Sequence, residues 1–201
     1  MIRVLLADDM VMLRRALVSL LELEEDLEVV GEAGNGDQVL PVALEARPDV
    51  AVLDIDMPGI DGIRAAELLS RELPACRTII LTSLGRPGNL RRALEARVSG
   101  FLLKDTDPTR LAAAIRQVVA GEQVVDPQLA LATLQAGSSP LSARENEVLR
   151  LAARGMDAPE IATKLFLSAG TVRNYLTTVV TKLNARNRMD AVRIARDAGW
   201  L

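Results

Sequence analysis

The chain has 201 residues, of which 49% are hydrophobic and 25% are charged, as is typical of a globular protein. It contains no histidine, which excludes a histidine-based catalytic triad, metal ligand or pH switch. Its one cysteine, Cys76, excludes an internal disulfide and favours a reducing, cytoplasmic location. No apolar run approaches the roughly 18 residues that a membrane span needs, so we expect no membrane contact.

Short apolar runs alternate with longer amphipathic segments over the first 120 residues. The runs predict strands at Ile2–Ala7, Leu27–Gly31, Val50–Leu53, Thr78–Leu81 and Gly100–Leu103. The segments between them carry apolar residues at the three- and four-residue spacing of helices. Strands that alternate with helices predict an α/β domain over residues 1–120, built on a five-stranded, parallel, doubly wound sheet of the flavodoxin-like kind.

Residues 121–140 are predicted to link this domain to a second one. Asp126 and Pro127 favour the start of a short helix that ends near Gln135. The segment Gly137–Pro140, with the sequence Gly-Ser-Ser-Pro, then has the composition of a linker.

Residues 141–201 show only helical patterns. Ser142 and Glu145 form a predicted capping box, and Asp157 and Ser168 are predicted to cap the next two helices. A fourth helix is expected from about residue 187 to 198. The pattern therefore predicts an all-α, four-helix domain at the C-terminus.

The net charge of −3 conceals a difference between these two parts. Residues 1–140 carry fourteen basic and twenty-one acidic residues, a net charge of −7, whereas residues 141–201 carry ten and six, a net charge of +4. An acidic part joined to a basic part predicts that only the second part binds a polyanion.

Polar side chains are concentrated where the predicted strands of the first domain end, at Asp8, Asp9, Asp54, Thr82 and Lys104. The carboxyl ends of parallel strands meet at one edge of a sheet, so these side chains should share one crevice. Three neighbouring carboxylates repel one another, and Mg²⁺, which prefers oxygen ligands, relieves that repulsion. A lysine and a threonine can bind phosphate oxygens beside it. The set predicts phosphoryl transfer onto a carboxylate.

This order of residues, together with Met57-Pro58-Gly59 and Leu102-Leu103-Lys104-Asp105, resembles the receiver domains of two-component response regulators. The resemblance implies that Asp54 is the phosphoacceptor and that Thr82 and Lys104 bind the phosphoryl group. It also implies a regulator rather than an enzyme, although one able to catalyse its own phosphorylation and dephosphorylation.

The same resemblance implies a bound Mg²⁺ and an aromatic switch. The ion would be held by Asp9, Asp54 and the backbone carbonyl of Asp56, with Asp8 acting largely through water. Phe101 occupies the switch-aromatic position, and Thr82 would be its partner in the switch. Taken alone, a phenylalanine such as Phe101 is more often a core residue than a switch.

One alternative is a Mg²⁺-dependent phosphatase of the haloacid-dehalogenase type, in which Asp54 and Asp56 would be nucleophile and general acid. That motif normally follows the first strand of its fold, whereas Asp54 follows the third. The alternative would also leave Asp8 and Asp9 without a role.

In the second domain, two capped helices joined by a short turn predict a helix-turn-helix whose second helix lies in the major groove of DNA. The candidate contacts on its exposed face are Arg173, Asn174, Thr177, Thr178 and Lys182. Arginine can bind guanine and asparagine can bind adenine in a bidentate manner, whereas lysine and hydroxyl groups more often contact phosphate. A net charge of +4 over these 61 residues would by itself favour a solvated surface, and the motifs described next are what favour DNA binding.

The second domain resembles the LuxR/NarL/FixJ type of helix-turn-helix almost throughout, as in Leu141–Glu145, Glu160-Ile161-Ala162 and Thr171–Asn174. Three further segments, Gly85–Gly88, Gly170–Tyr175 and Gly199-Trp200, resemble the branch of this family paired with a membrane-thermosensing kinase. The resemblance implies a transcription factor that a sensor histidine kinase phosphorylates. Phosphorylation would promote a homodimer that binds two-fold-related half-sites in double-stranded promoter DNA.

Overall fold

The computed structural model describes residues 1–83, 85–105, 107–135, 137 and 139–201. These residues form two compact units. The first comprises Met1–Gly85 and Leu90–Ala130, and the second comprises Arg86–Asn89 and Leu131–Leu201. Ala136 and Ser138, which belong to the predicted linker, lie outside the described residues.

The first unit is built on a parallel sheet with the strand order β2-β1-β3-β4-β5-β6. Its strands are β1 (Ile2–Ala7), β2 (Leu27–Ala33), β3 (Val50–Leu53), β4 (Arg77–Thr82), β5 (Gly100–Leu103) and β6 (Val124–Val125). The helices that follow its first five strands in the chain are α1 (Val11–Leu21), α2 (Gly36–Ala46), α3 (Gly62–Glu72), α4 (Pro87–Glu95) and α5 (Pro108–Val119). The α/β fold class predicted from the sequence is confirmed.

Each face of this sheet is covered by its own hydrophobic core. On β3, Ala51 and Leu53 join one core while Val50 and Val52 join the other, because successive side chains of a strand point to opposite faces. All four are buried, so β3 is a continuous apolar run, as expected for a strand covered on both faces. The two cores fix the plane of the sheet and therefore the positions of the residues that follow its strand ends.

The predicted number of strands was wrong, because the described sheet has a sixth strand inside the segment expected to be a linker. Strand β6 pairs with Gly100 and Phe101 of β5. Its two residues are too few to give an alternating pattern, which is why the sequence did not reveal it. The short helix expected after Asp126 is present as α6 (Pro127–Gln135), and the carboxylate of Asp126 accepts hydrogen bonds from the amides of Gln128 and Leu129.

The second unit contains four helices after residue 140, as predicted: α7 (Ala143–Ala152), α8 (Ala158–Leu165), α9 (Ala169–Lys182) and α10 (Arg188–Asp197). The capping box of Ser142 and Glu145 is present, and Asp157 forms a second one with Glu160. Ser168 caps α9 by accepting a hydrogen bond from the amide of Thr171. These caps fix the start of each helix and keep the α8–α9 connection short.

The helices in the described part of the chain are all too short or too polar to cross a lipid bilayer.

Candidate functional site

Two neighbouring strand ends bring three carboxylates together. Asp8 and Asp9 follow β1 and Asp54 follows β3, and the amide of Asp54 donates a hydrogen bond to the carbonyl of Ala7 at 2.9 Å. One oxygen of each carboxylate lies within 4.8 Å of the others. Asp8 and Asp54 are buried, whereas Asp9 is exposed. The cluster therefore has a closed inner side and one carboxylate that faces solvent.

Lys104 completes this cluster from the far side. Its ammonium lies 2.7 Å from Oδ2 of Asp8 and 3.1 Å from Oδ2 of Asp54, and its side chain is only 10% exposed. Its position is fixed through the sheet, because its amide donates to the carbonyl of Thr82 at 2.9 Å. Lys104 therefore lies beside the carboxylates at the edge of the sheet where these parallel strands end.

Burial and ion pairing shift the pKa values of Asp54 and Lys104 in opposite directions. Burial raises the pKa of the Asp54 carboxyl, an effect that the hydrogen bond from Lys104 only partly offsets. Burial alone would lower the pKa of the Lys104 ammonium, but its bonds to Asp8 and Asp54 outweigh that effect and raise it. The lysine therefore stays charged and is the main group that stabilises ionised Asp54.

Thr82 and Phe101 lie on neighbouring strands beside this cluster. Thr82 is the last residue of β4 and is fully buried, and Phe101 in β5 is 1% exposed. Phe101 packs in the core that also contains Ile80 and Leu129. The structure shows Phe101 in an inward position, while its role as a switch stays a prediction.

The loop between β3 and α3 is held against the backbone of Asp54. The amides of Met57 and Gly62 both donate to the carbonyl of Ile55, at 3.0 and 3.1 Å. A Cβ atom on Gly62 would lie 1.9 Å from the carbonyl oxygen of Asp54, so only glycine allows this approach. Asp56 is an exposed residue of this loop, and its role as a backbone ligand stays a prediction.

The donor set fits the metal that the sequence predicts. Three carboxylates whose oxygens lie within 4.8 Å of one another supply the hard oxygen ligands that Mg²⁺ prefers. The exposed side of Asp9 leaves room for the water molecules that Mg²⁺ usually keeps. Asp8, Asp9 and Asp54 could therefore hold such an ion beside the Lys104 ammonium.

The candidate DNA contacts lie together on α9. Arg173, Asn174, Thr177, Thr178 and Lys182 are all exposed. The hydroxyl groups of Thr177 and Thr178 donate to the carbonyls of Arg173 and Asn174, both at 3.0 Å, and Thr181 does the same to Thr177 at 3.1 Å. Arginine and asparagine are thus the residues of this face best suited to read base edges.

Lys182 has a structural partner that sequence reasoning missed. Its ammonium lies 2.8 Å from Oε2 of Glu145, which is buried at the start of α7. Glu145 also accepts a hydrogen bond from the amide of Ser142. No sequence pattern reports this pair, because it depends on how α7 and α9 pack. A contact of Lys182 with a DNA phosphate would have to share or replace it.

Comparison with known proteins gives matches over both units. Residues 4–116 match the family described as the response regulator receiver domain, and residues 139–195 match the bacterial regulatory proteins of the luxR family. The uncharacterized transcriptional regulatory protein YvfU of Bacillus subtilis is 45% identical, with all of both chains covered. The transcriptional regulatory protein DesR of the same organism is 43% identical over all of this chain and 99% of its own. The similarity to DesR is thus shared with at least one other relative, YvfU, at a comparable level of identity.

Solved structures of response regulators are similar to this chain over nearly its whole length. The response regulator ChrA of a heme-sensing two-component system has a TM-score of 0.61 and 35% identity, covering 100% of this chain and 98% of its own. The two-component response regulator RcsB in complex with DNA has a TM-score of 0.72 and 28% identity, covering 98% of both chains.

Proposed function

The chain belongs to the response regulators with a LuxR-type DNA-binding domain, and we propose that phosphorylation of Asp54 controls its affinity for DNA. It is a transcription factor of this family. The haloacid-dehalogenase alternative is not supported, since residues 4–116 match the receiver family. The observation that carries the proposal is the Lys104 ammonium at 2.7 Å and 3.1 Å from two buried carboxylates, one of them Asp54.

At this site Asp54 acts as the nucleophile. A carboxylate oxygen of Asp54 forms a bond to the phosphorus of the donor, the bond from phosphorus to the imidazole nitrogen of the kinase breaks, and that nitrogen takes up a proton. Lys104 keeps Asp54 ionised before the transfer. After the transfer, its ammonium can bind an oxygen of the negatively charged phosphoryl group. A Mg²⁺ ion bound by Asp8, Asp9 and Asp54 would neutralise charge on the transferring group.

The phosphoryl group then changes which arrangement of the domain is favoured. A dianion on Asp54 gives Thr82 and Lys104 a new acceptor, and movement of Thr82 leaves space for Phe101 to repack. The modification can shift this equilibrium only by as much as it stabilises one state over the other. The repacked surface pairs with a second copy and so brings two DNA-binding domains together.

The paired chains bind DNA through α9. The capped helices α8 and α9, joined by Phe166, Leu167 and Ser168, suit a recognition helix lying in the major groove. Two such helices in a homodimer would bind two half-sites, and the related RcsB is known in complex with DNA. We propose that the receiver domain ends near residue 120 and that the DNA-binding domain begins near residue 140. We also propose that the protein is cytoplasmic, because a sensor histidine kinase and promoter DNA are both accessible there.

A direct test treats the full-length protein with acetyl phosphate and Mg²⁺. We expect a mass increase of about 80 Da located at Asp54, a shift to dimers in sedimentation, and stronger protection of promoter DNA in footprinting. Asp54→Asn should lose all three effects, whereas Asp56→Asn, which keeps its backbone carbonyl, should retain the adduct. Unmodified Asp54, or an adduct without any change in association or DNA binding, would contradict the proposal.

A further inference from the structure

Arg14 connects the first turn of α1 to the residues that carry the acidic cluster. Its Nη1 donates to the backbone carbonyl of Asp8 at 2.5 Å, and its Nε donates to Oε2 of Glu32 on β2 at 3.0 Å. The Arg14 side chain is 14% exposed, so this is a largely buried guanidinium. A planar guanidinium can bind two acceptors in fixed directions, which a lysine ammonium cannot do.

The remaining polar atoms of Asp8 are also bound. Its amide donates to the carbonyl of Ala33 at 3.1 Å, Oδ1 accepts from the amide of Met10 at 2.9 Å, and Oδ2 pairs with Lys104 at 2.7 Å. With Arg14 on its carbonyl, Asp8 is held at its amide, its carbonyl and both carboxylate oxygens. The carbonyl of Asp8 is half of the peptide group that leads into Asp9, so Arg14 fixes the orientation of that peptide.

We propose that Arg14 is a positioning residue for the metal site. By holding the carbonyl of Asp8, it keeps the exposed carboxylate of Asp9 directed toward Asp8 and Asp54. Glu32 orients the guanidinium for this contact. The inference rests on the proposed function, because it assigns to Arg14 a part in binding the Mg²⁺ that phosphorylation of Asp54 requires.

The direction in which the affinity for Mg²⁺ changes when Arg14 is replaced distinguishes a positioning role from a simple effect of its charge. Arg14 carries a positive charge close to a cation site, so its charge alone opposes the binding of Mg²⁺. Neutralising it would then strengthen binding. A positioning role predicts the reverse, because Asp9 would have to be reoriented whenever the ion binds.

The test measures the dissociation constant for Mg²⁺ on the full-length chain, by following amide signals in an NMR titration. We expect Arg14→Gln to weaken binding by about tenfold, as is typical when a group that supports a metal ligand is lost. Arg15→Gln removes the same charge from the exposed neighbouring residue and should leave binding unchanged or slightly tighter. Arg14→Lys should behave like Arg14→Gln, since a lysine ammonium lacks the rigid fork that fixes the directions of both bonds.

A second readout separates positioning from damage to the fold. The rate of phosphorylation by acetyl phosphate should return to the wild-type value in Arg14→Gln once Mg²⁺ is saturating, so that only the Mg²⁺ dependence shifts. Glu32→Gln, a milder change at a half-exposed side chain, should shift it in the same direction by less.

Three results would overturn the inference. Mg²⁺ binding in Arg14→Gln as tight as in Arg15→Gln would remove the positioning role, and so would a phosphorylation rate that saturating Mg²⁺ does not restore. A wild-type protein that binds no Mg²⁺ and gains no phosphate would instead overturn the proposed function, and this inference with it.

Discussion

Asp54 in the first unit and Glu145 and Asp190 in the second are all buried, but their pKa values are shifted in opposite directions. In the first unit, burial raises the pKa of Asp54 beside a second buried carboxylate, Asp8, and both share the Lys104 ammonium. In the second unit, the hydrogen bond from Lys182 and that from the Ser142 amide lower the pKa of Glu145. Asp190 likewise has a lowered pKa, because the backbone of Arg186 and the side chains of Arg193 and Arg186 donate to it.

We infer that this difference separates a carboxylate with a chemical role from one with a structural role. Glu145 accepts hydrogen bonds from the Ser142 amide and the Lys182 ammonium, and its charge stabilises the folded second unit. At Asp54, burial outweighs the hydrogen bond from Lys104, and we infer that the side chain is kept in this environment for phosphorylation. Perturbed carboxylates of the Asp54 kind are concentrated at functional sites for this reason.

The largest effect is expected from disturbing the backbone beneath Asp54. Gly62→Ala would place a Cβ atom 1.9 Å from the carbonyl oxygen of Asp54, and forcing the backbones apart should destabilise the first unit by about 3 kcal/mol. Calorimetry, or circular dichroism with denaturant, would measure this loss. Gly170→Ala in α9 is the matched control, since its Cβ would approach only the hydroxyl of Ser168, at 3.6 Å, and should be neutral or slightly stabilising. Equal stability of the two variants would refute the argument from close approach.

The next effect concerns the exposed face of α9, which carries the candidate DNA contacts. Arg173→Ala should weaken binding to the specific site by roughly 1–3 kcal/mol if Arg173 reads a base. Arg150→Ala removes the same charge from an exposed position on α7 and should cost less. Electrophoretic retardation with specific and scrambled DNA would measure both. A loss that is equal on every sequence would make Arg173 a phosphate contact instead.

A smaller effect is expected from removing the charge of Glu145. Glu145→Gln keeps a hydrogen-bond acceptor for the Ser142 amide but loses the charge that binds Lys182, so the second unit should lose about 1 kcal/mol at neutral pH. Because Trp200 is the only tryptophan, its fluorescence reports the unfolding of this unit alone. Glu147→Gln, which breaks an exposed pair with Arg144, should cost less than about 0.5 kcal/mol.

The pH dependence of the Glu145 effect follows from the direction of its pKa shift. The stabilisation by ionised Glu145 is complete above the ordinary glutamate pKa of 4.5 and is lost as the pH falls through its lowered pKa in the folded protein. The difference between wild type and Glu145→Gln should therefore disappear in acid. A difference that persists there would point to packing rather than charge.

The smallest effect should have the opposite sign. Asp54→Asn removes a buried charge from beside Asp8 and leaves Lys104 paired with Asp8, so we expect the first unit to gain on the order of 1 kcal/mol at neutral pH. This gain should shrink as the pH falls through the raised pKa of Asp54 toward 3.8, since the wild-type carboxyl then loses its charge. Asp105→Asn, at an exposed position, is the control. A destabilised Asp54→Asn protein would contradict the comparison between the two units.

The strands and helix starts that depend on neighbouring residues could be predicted from the sequence. Five of the six strands in the described part of the chain could be found, and so could the cap residues Ser142, Asp157 and Ser168, because apolar periodicity and capping residues act within a few positions. Asp54 and Lys104 were placed together because parallel strands end at one edge. Strand β6 was missed because two valines carry no pattern, and its pairing is set by β5.

The contacts that could not be predicted join residues far apart in the sequence. Arg14 binds Glu32 across 18 positions, and Glu145 binds Lys182 across 37. An arginine on a helix normally predicts only a solvated surface, and nothing near Arg14 in the sequence distinguishes it from Arg15. Only the packing of α1 against the sheet turns one of these two arginines inward.

The threonines of α9 give its outer face a chemical character that the sequence alone does not suggest. The hydroxyl groups of Thr177, Thr178 and Thr181 each donate a hydrogen bond to a backbone carbonyl one turn earlier. Their methyl groups are therefore the main groups that remain to contact a DNA duplex. Methyl groups pack well against the 5-methyl group of thymine. Half-sites rich in A·T pairs opposite this face should therefore be preferred, and replacing their thymines with deoxyuridine should weaken binding without removing a single hydrogen bond.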